Sequence, residues 1–309
     1  MIASTRRLIA GLAAVGVAVA LAGCSTSDPL GGGTSSPGDV TKITIGSQAF
    51  PESDILAQLY GQVLAANGFT VDYAAGIGSR EAFIPALQDG SIDLIPDYSG
   101  NLLYGADKAA TATSSEDVAA ALPAALKPLG LTALTPAPAE DADALVVTPE
   151  FAAEHKLVTI ADLAPIASQL TIGANTEFEG RPYGRAGLES VYGVTGWTFK
   201  AIDDYGGPGT LSDLLAGNIQ VADIYTTTPS IKQNKLVVLE DPKNLIAAQN
   251  VVPLLNSAYA TDKVTGLLDK VSAALTTDEL LGLNEISAGA DKPSPAKVAK
   301  DWLTAKGLI

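Results

Sequence analysis

Apolar positions along the chain change period repeatedly, and the changes mark out alternating strands and helices. From Lys42, Ile43 and Ile45 alternate with polar neighbours as in a strand, and a loop follows over residues 46–51. Residues 52–67 carry Ile55, Leu56, Leu59, Tyr60, Val63 and Leu64 at helical spacing and stop at Asn67-Gly68. A second strand is expected over 70–74. Gly76-Ile77-Gly78-Ser79 then turns into a helix over 80–89, with Ser79 at its N-cap. After the Gly90 stop, an apolar run over 92–95 ends in Pro96-Asp97-Tyr98-Ser99-Gly100-Asn101.

The same order returns later. A helical stretch ends at Leu214-Leu215, Gly217 stops it, and a strand from Ile219 to Ala222 runs into Asp223-Ile224-Tyr225. In both copies the tyrosine lies six residues beyond the strand's first isoleucine (Ile92 to Tyr98, Ile219 to Tyr225). Helix, glycine cap and strand with a polar-aromatic tip form one α/β building block. Two such blocks imply two α/β lobes, each offering a tyrosine to a shared cleft. Between them lie a helix over 116–127, a proline- and acid-rich crossing over 131–144 and a buried-type strand over 145–147. Short helical pieces over 151–156 and 160–163 and a strand over 170–174 follow, then a polar loop over 175–181 and a helix over 186–192. After Tyr225 the chain is expected to cross back, with strands over 236–239 and 251–254. A helix over 263–275 comes next, then one opened by Thr276 and Glu279 in capping-box spacing and one opened by Ser294-Pro295, all packing on the first lobe.

Composition narrows the chemistry. A net charge of −15, with 19 scattered Lys and Arg, argues against nucleic acid as a partner. The single cysteine, Cys24, excludes an internal disulfide and a thiolate metal cluster, and the single histidine, His155, leaves little from which to build a triad or a metal site. No cofactor or metal is expected. His155 reads as a solvated residue. The strand-loop-helix at the start of the fold places Gln48 and Phe50 at the carboxyl ends of the strands, where such sheets bind ligands, although core is the better reading of Phe50. The Gly76–Ser79 turn lacks the third glycine of a dinucleotide fingerprint and the lysine of a phosphate loop. A polar ligand group on that helix N-terminus is the better reading. Arg181 is either a clamp for a carboxylate or a solvated charge.

The first 24 residues have the form of a targeting segment: Arg6-Arg7, then an apolar run of 14 residues from Leu8 to Leu21. As a helix that run spans about 21 Å, short of the roughly 30 Å of a bilayer core. It ends Leu21-Ala22-Gly23-Cys24, which resembles a bacterial lipobox with Cys24 as lipid acceptor. Residues 25–41, rich in Gly, Ser and Pro, read as a flexible tether with a reach of roughly 20 Å. The organisation expected is a signal peptide over 1–24, a tether over 25–41, lobe 1 over 42–142 and 226–309, and lobe 2 over 143–225.

From Lys42 to the C-terminus the motifs resemble one family. Ile45-Gly46-Ser47-Gln48 with Glu52, then Ala86-Leu87, Gly90 and Ile92-Asp93-Leu94-Ile95-Pro96-Asp97-Tyr98-Ser99-Gly100 are similar to the glycine betaine/choline substrate-binding lipoproteins of ABC transporters. Thr159–Leu163, Glu177-Phe178 with Arg181 and Gly187-Leu188, Asp223-Ile224-Tyr225 and Leu236–Leu239 continue the match. The resemblance implies a type II periplasmic-binding-protein fold, two α/β lobes joined by two hinge crossings. It further implies a monomeric receptor, lipid-anchored to the outer face of the cell membrane, that captures a small molecule and hands it to an ABC permease. In the family a cage of tyrosines holds a trimethylammonium head. Tyr98 and Tyr225 stand at two cage positions, whereas Asp143 and Leu211 stand where members carry the other tyrosines. Gln48 replaces a lysine that meets the ligand carboxylate in some members, Arg181 is kept, and Asn101 follows the Tyr98-Ser99-Gly100 motif. The ligand-binding set implied is Gln48, Tyr98, Asn101, Asp143, Arg181 and Tyr225, with no catalytic residue.

With half the cage replaced, two ligand classes stay open: a quaternary ammonium osmoprotectant with Asp143 as charge partner, or a neutral hydroxylated or phenolic compound between Tyr98 and Tyr225. A third reading is an enzyme on the same bilobal fold, with Asp97 and Asp223 as paired carboxylates.

Overall fold

A computed structural model describes residues 40–309. The targeting segment, Cys24 and nearly all of the 25–41 tether lie outside the described residues.

Ten strands form two five-stranded sheets of matching design. The first has the order β2-β1-β3-β10-β4, from β1 (Lys42–Gly46), β2 (Thr70–Ala74), β3 (Leu94–Tyr98), β4 (Leu131–Ala133) and β10 (Val251–Asn256). The second has the order β7-β6-β8-β5-β9, from β5 (Leu145–Val147), β6 (Thr171–Ala174), β7 (Thr198–Ala201), β8 (Val221–Asp223) and β9 (Val237–Val238). In each sheet three parallel strands are followed by one antiparallel strand that has come over from the other sheet: β10 pairs with β3, and β5 with β8. This is the bilobal α/β architecture expected from the sequence.

Helices cover both faces of each sheet, so the central strands are buried on both sides and read as unbroken apolar runs. Leu94 of β3 packs with Leu59, Leu268 and Trp302, while its neighbour Ile95 packs on the opposite face with Phe83, Leu102 and Leu122. The second sheet repeats this, with Leu145 and Val147 on one face and Val146 and Ala222 on the other. The C-terminal helices Asp262–Ala274, Thr277–Ala288 and Pro295–Ala305 bury Val264, Leu280 and Val298 in the core that also holds α1 (Pro51–Ala66). Thr276 and Ser294 cap two of them, each accepting a backbone N–H three residues on. Ser79 stands at the N-cap of α2 (Arg80–Asp89), but its side chain makes no capping bond.

The placement of the second crossing needs correction. The chain does not leave the second lobe at Tyr225: Val237 and Val238 pair with Val147 and Val146, so β9 is the edge of the second sheet. The return runs through 240–250, beside the outward crossing. Glu140 and Asn250 form an antiparallel bridge there, and Asp141 N–H donates to Gln249 O at 3.1 Å. Residues 226–239 therefore belong with lobe 2.

One carboxylate joins these parts. Glu52, in the first turn of α1, is only 5% exposed. It accepts from Tyr98 OH at the end of β3 (2.5 Å), Thr227 Oγ1 of the second lobe (2.6 Å) and Asn284 Nδ2 (2.5 Å). Thr227 N–H in turn donates to Asp141 Oδ1 of the outward crossing at 2.8 Å. Burial pushes the Glu52 carboxyl upward against the pull of those donors, and burial together with Glu52 pushes Asp141 well above its usual range. A carboxyl raised in the folded state costs stability as pH climbs from its ordinary value, 4.5 for Glu52, through the raised one. Glu52→Gln keeps the shape, can donate to Tyr98 Oη and removes that charge. The variant should therefore melt higher than wild type at pH 8, by on the order of a few degrees, with the gap closing toward pH 5. A gap independent of pH in thermal melts would rule out this account of Glu52.

Candidate ligand-binding cleft

Side chains from the carboxyl ends of both sheets meet between the lobes. From the first lobe come Phe50, at the N-cap of α1, and Tyr98, the last residue of β3. From the second come Tyr225, just beyond β8, and Tyr205, in the loop after β7. Phe50 is the hub: its ring centroid lies 6.1 Å from Tyr98, 5.4 Å from Tyr205 and 5.7 Å from Tyr225. Phe50 is thus buried and at the site together, which resolves its two readings. Tyr205 holds its ring there from a backbone with φ of 56°, a conformation sparsely used outside glycine, and its N–H donates to Asn175 Oδ1 at 2.8 Å.

A charged layer lies beside the rings. Asp97 is fully buried, gripped by Arg80 through Nε to Oδ2 (3.1 Å) and Nη2 to Oδ1 (2.5 Å). Gln48 Nε2 donates to the same carboxylate at 3.2 Å. Gln48 consequently supports this ion pair, and it lines none of the three cleft cavities. With both oxygens held, Asp97 has no freedom for acid–base work, which removes the paired-carboxylate enzyme. His155, read above as a solvated residue, is half-buried, with its ring tilted against Phe151 at 4.5 Å between centroids, and it also lines none of these cavities.

Asp143 sits two residues before β5, and its Oδ2 accepts from Asn101 Nδ2 across the cleft (3.0 Å) and from Tyr183 OH (2.7 Å). Asn101 is itself set by a backbone bond to Gln249 Oε1 and by Gly100, where a Cβ would lie 2.6 Å from Ala248 O. Arg181 reaches across to Glu81 of α2 at 3.4 Å, so a further polar contact spans the lobes. It is therefore buried and not a solvated charge. The tight turn that carries Arg181 and Tyr183 depends on Gly184, where a Cβ would meet Phe178 O at 1.9 Å. Asp223 ends β8, is 6% exposed, and its Oδ1 has no hydrogen-bond partner. Burial first, and then the Asp143 charge, push its carboxyl well above the usual range. Burial likewise keeps the hydroxyls of Tyr98, Tyr183 and Tyr225 protonated, as donors.

Three cavities open off these walls. One of about 30 Å³ is bounded by Phe50, Tyr98, Tyr225, Arg80, Asn101 and Asp143. A second of about 30 Å³ is polar, bounded by Asn101, Asp143, Asn175, Arg181, Tyr183 and Asp223. The largest, about 350 Å³, lies on the hinge side of Phe50 and Tyr225 against Tyr205, Leu211, Pro229 and Asn284. Tyr98, Asn101, Asp143 and Arg181 line only the two small ones, and these are taken as the binding cleft, although Phe50 and Tyr225 also wall the larger apolar space and Tyr205 lines that space alone. The sequence placed Tyr98, Asn101, Asp143, Arg181 and Tyr225 around this cleft, and the structure brings those five together. It adds Arg80 and Tyr183, and it also places there Phe50 and Asp223, which the sequence had offered in other readings. Among the described residues, no three His, Cys, Asp or Glu are grouped to hold a metal ion, and no helix is long and apolar enough to cross a membrane.

Comparison with known proteins agrees with this geometry. Residues 41–305 match the family model of the substrate binding domain of ABC-type glycine betaine transport systems. The glycine betaine-binding protein YehZ of Escherichia coli K12 is 24% identical over 277 residues, covering 86% of this chain and 90% of that protein. The ergothioneine transport permease/ergothioneine binding protein EgtU of Helicobacter pylori G27 is 23% identical, over 86% of this chain and 48% of that one. A solved structure of a glycine betaine/carnitine/choline ABC transporter superposes with a TM-score of 0.69 at 22% identity, covering 86% of this chain and 99% of the other. Lactococcal OpuAC, closed on glycine betaine, gives 0.64 at 15% identity, over 86% and 96%. A match over residues 41–305 settles the membership: the chain belongs to the substrate-binding family of ABC-type glycine betaine transport systems, extracytoplasmic transport proteins and not enzymes.

Proposed function

We propose that the protein captures a quaternary ammonium solute of the glycine betaine or choline type between its lobes and delivers it to an ABC permease. In this reading it works as a monomer held at the outer face of the membrane by a lipid on Cys24 and the tether behind it. The observation that carries the reading is the convergence of Tyr98 and Tyr225, one ring from each lobe, 6.1 and 5.7 Å from Phe50, beside the Asp143 carboxylate. A cation placed between such rings gains roughly 0.5–2 kcal/mol per well-placed ring. Asp143 supplies a full charge where the rings run out. Arg181, whose one ion-pair partner is the largely exposed Glu81, offers a guanidinium to a ligand carboxylate. The glycine betaine-binding name of YehZ and the glycine betaine bound to OpuAC support the same class.

A non-quaternary ligand is the second reading. What favours it is the polar cavity, where carboxylates and hydroxyls outnumber rings.

Closure over a ligand follows from contacts that already span the cleft. Asn101 to Asp143 and Arg181 to Glu81 link lobe to lobe, and a bound cation adds its attraction to both walls.

Calorimetric titration with choline, glycine betaine and carnitine tests the class, with micromolar binding expected for at least one. Tyr98→Ala and Tyr225→Ala should each weaken that binding at least tenfold, since each removes one wall; normal affinity in both variants would sink the shared-cleft reading. Asp143→Asn should harm a cationic ligand far more than a neutral one. Equal losses for the two would remove the charge role given to Asp143.

A further inference from the structure

Among the carboxylates around the cleft, all but Glu177 and Asp223 are held by donors, and of those two only Asp223 is buried. Asp97 is held by Arg80 and Gln48, Asp143 by Asn101 and Tyr183, Asp141 by Thr226 and Thr227, and Glu52 by Tyr98, Thr227 and Asn284. Asp223 differs. It is 6% exposed and lines the polar cavity, and its Oδ1 has no partner. A buried acceptor left unpaired is disfavoured, and a strand end with only a structural duty would carry an apolar or a paired residue there.

We propose that Asp223 is a specificity subsite that accepts a hydrogen bond from the ligand, so that the receptor prefers an onium compound carrying a hydroxyl or N–H donor to one carrying none. This rests on the receptor reading given above and adds to it.

The surroundings fix the sign of the partner. Asp143 and Asp223 line the same cavity, and two neighbouring carboxyls disfavour an anionic ligand group there. A carboxyl that shares a proton with its neighbour still presents its other oxygen as an acceptor. Accepting groups on the ligand have better partners in the same cavity, Arg181 and Asn175. The position also sets the reach. Tyr225 follows Asp223 by two residues and borders both the polar and the aromatic cavity. A head seated on the Tyr225 ring therefore puts its near substituents beside Asp223, and the donor belongs a few atoms from the cationic nitrogen.

Choline and its methyl ether, (2-methoxyethyl)trimethylammonium, form the pair, with the same head and the hydroxyl hydrogen replaced by a methyl group, and the Asp223 variants separate the lost donor from the added bulk. Titrated calorimetrically into the full chain, choline should bind about tenfold or more tighter than the ether, the range of a hydrogen bond to a charged group. In Asp223→Ala that ratio should fall to within about twofold. Asp223→Asn, equal in size but uncharged, should shrink it severalfold, and serves if melting shows the alanine variant to be unfolded. A wild-type ratio near one, or a ratio unchanged in the variants, would overturn the subsite and leave the receptor reading standing. No binding of either compound by the wild type would overturn the quaternary ammonium reading and the subsite with it.

Discussion

A buried carboxylate at the junction of the two lobes is the constraint on which the rest of this structure depends. Glu52 lies in the first turn of α1, yet its three donors come from β3, from the C-terminal helices and from the second lobe. An unpaired charge there would be costly, so all three donors must be in place together. Satisfying it positions Tyr98 in the cleft, ties Thr227 to the outward crossing through Asp141 and brings the C-terminal helices against α1. The two crossings run side by side at Glu140 and Asn250, so the link between lobes is narrow and its geometry is set by a few polar contacts.

The cleft divides recognition between two kinds of interaction. Rings around Phe50 offer quadrupole attraction to a cation, weak per contact and tolerant of its shape. Carboxylates supply long-range attraction and, where an oxygen is unpaired, direction. In the proposed reading Asp143 stands in the cleft where the resembled family carries a tyrosine, which moves weight from the first kind to the second, whereas Leu211, the other such position, lines the larger apolar cavity. Arg80 adds no free charge to the balance because Asp97 neutralises it, which leaves Arg181 as the guanidinium open to a ligand anion.

Most of the fold was legible in the sequence, for reasons that individual elements make clear. Strands buried on both faces leave short apolar runs between glycine stops, as at Ile92–Ile95 and Leu145–Val147, and amphipathic helices such as α1 show their period. β4 and β7 were not anticipated: Leu131–Ala133 abuts a proline-rich stretch, and Thr198–Ala201 is a half-exposed edge strand without a clean alternation. The return crossing was placed too early because period alone cannot say which sheet a two-residue strand joins, and β9 joins the second. Among the site residues, those at strand tips and in motifs were visible. Tyr205 and Tyr183 were not, since each reaches the space between the lobes through a turn: a left-handed residue ahead of Gly206-Gly207 in one case, and the close packing at Gly184 in the other. An aromatic beside such glycines was the available signal. Asp223 was seen only as a catalytic carboxylate, and its importance lies in what it lacks. Gln48 stood at the right strand end, but its amide turns to Asp97.

The central claim is that a cation is held between rings from both lobes beside Asp143. A crystal structure of the complex with a bound quaternary ammonium compound tests it most directly. The account places the nitrogen within about 6 Å of the ring centroids of both Tyr98 and Tyr225, on the Asp143 side of Phe50. A nitrogen lodged instead in the larger apolar cavity, against Leu211 and Pro229 and away from Tyr98, would contradict it.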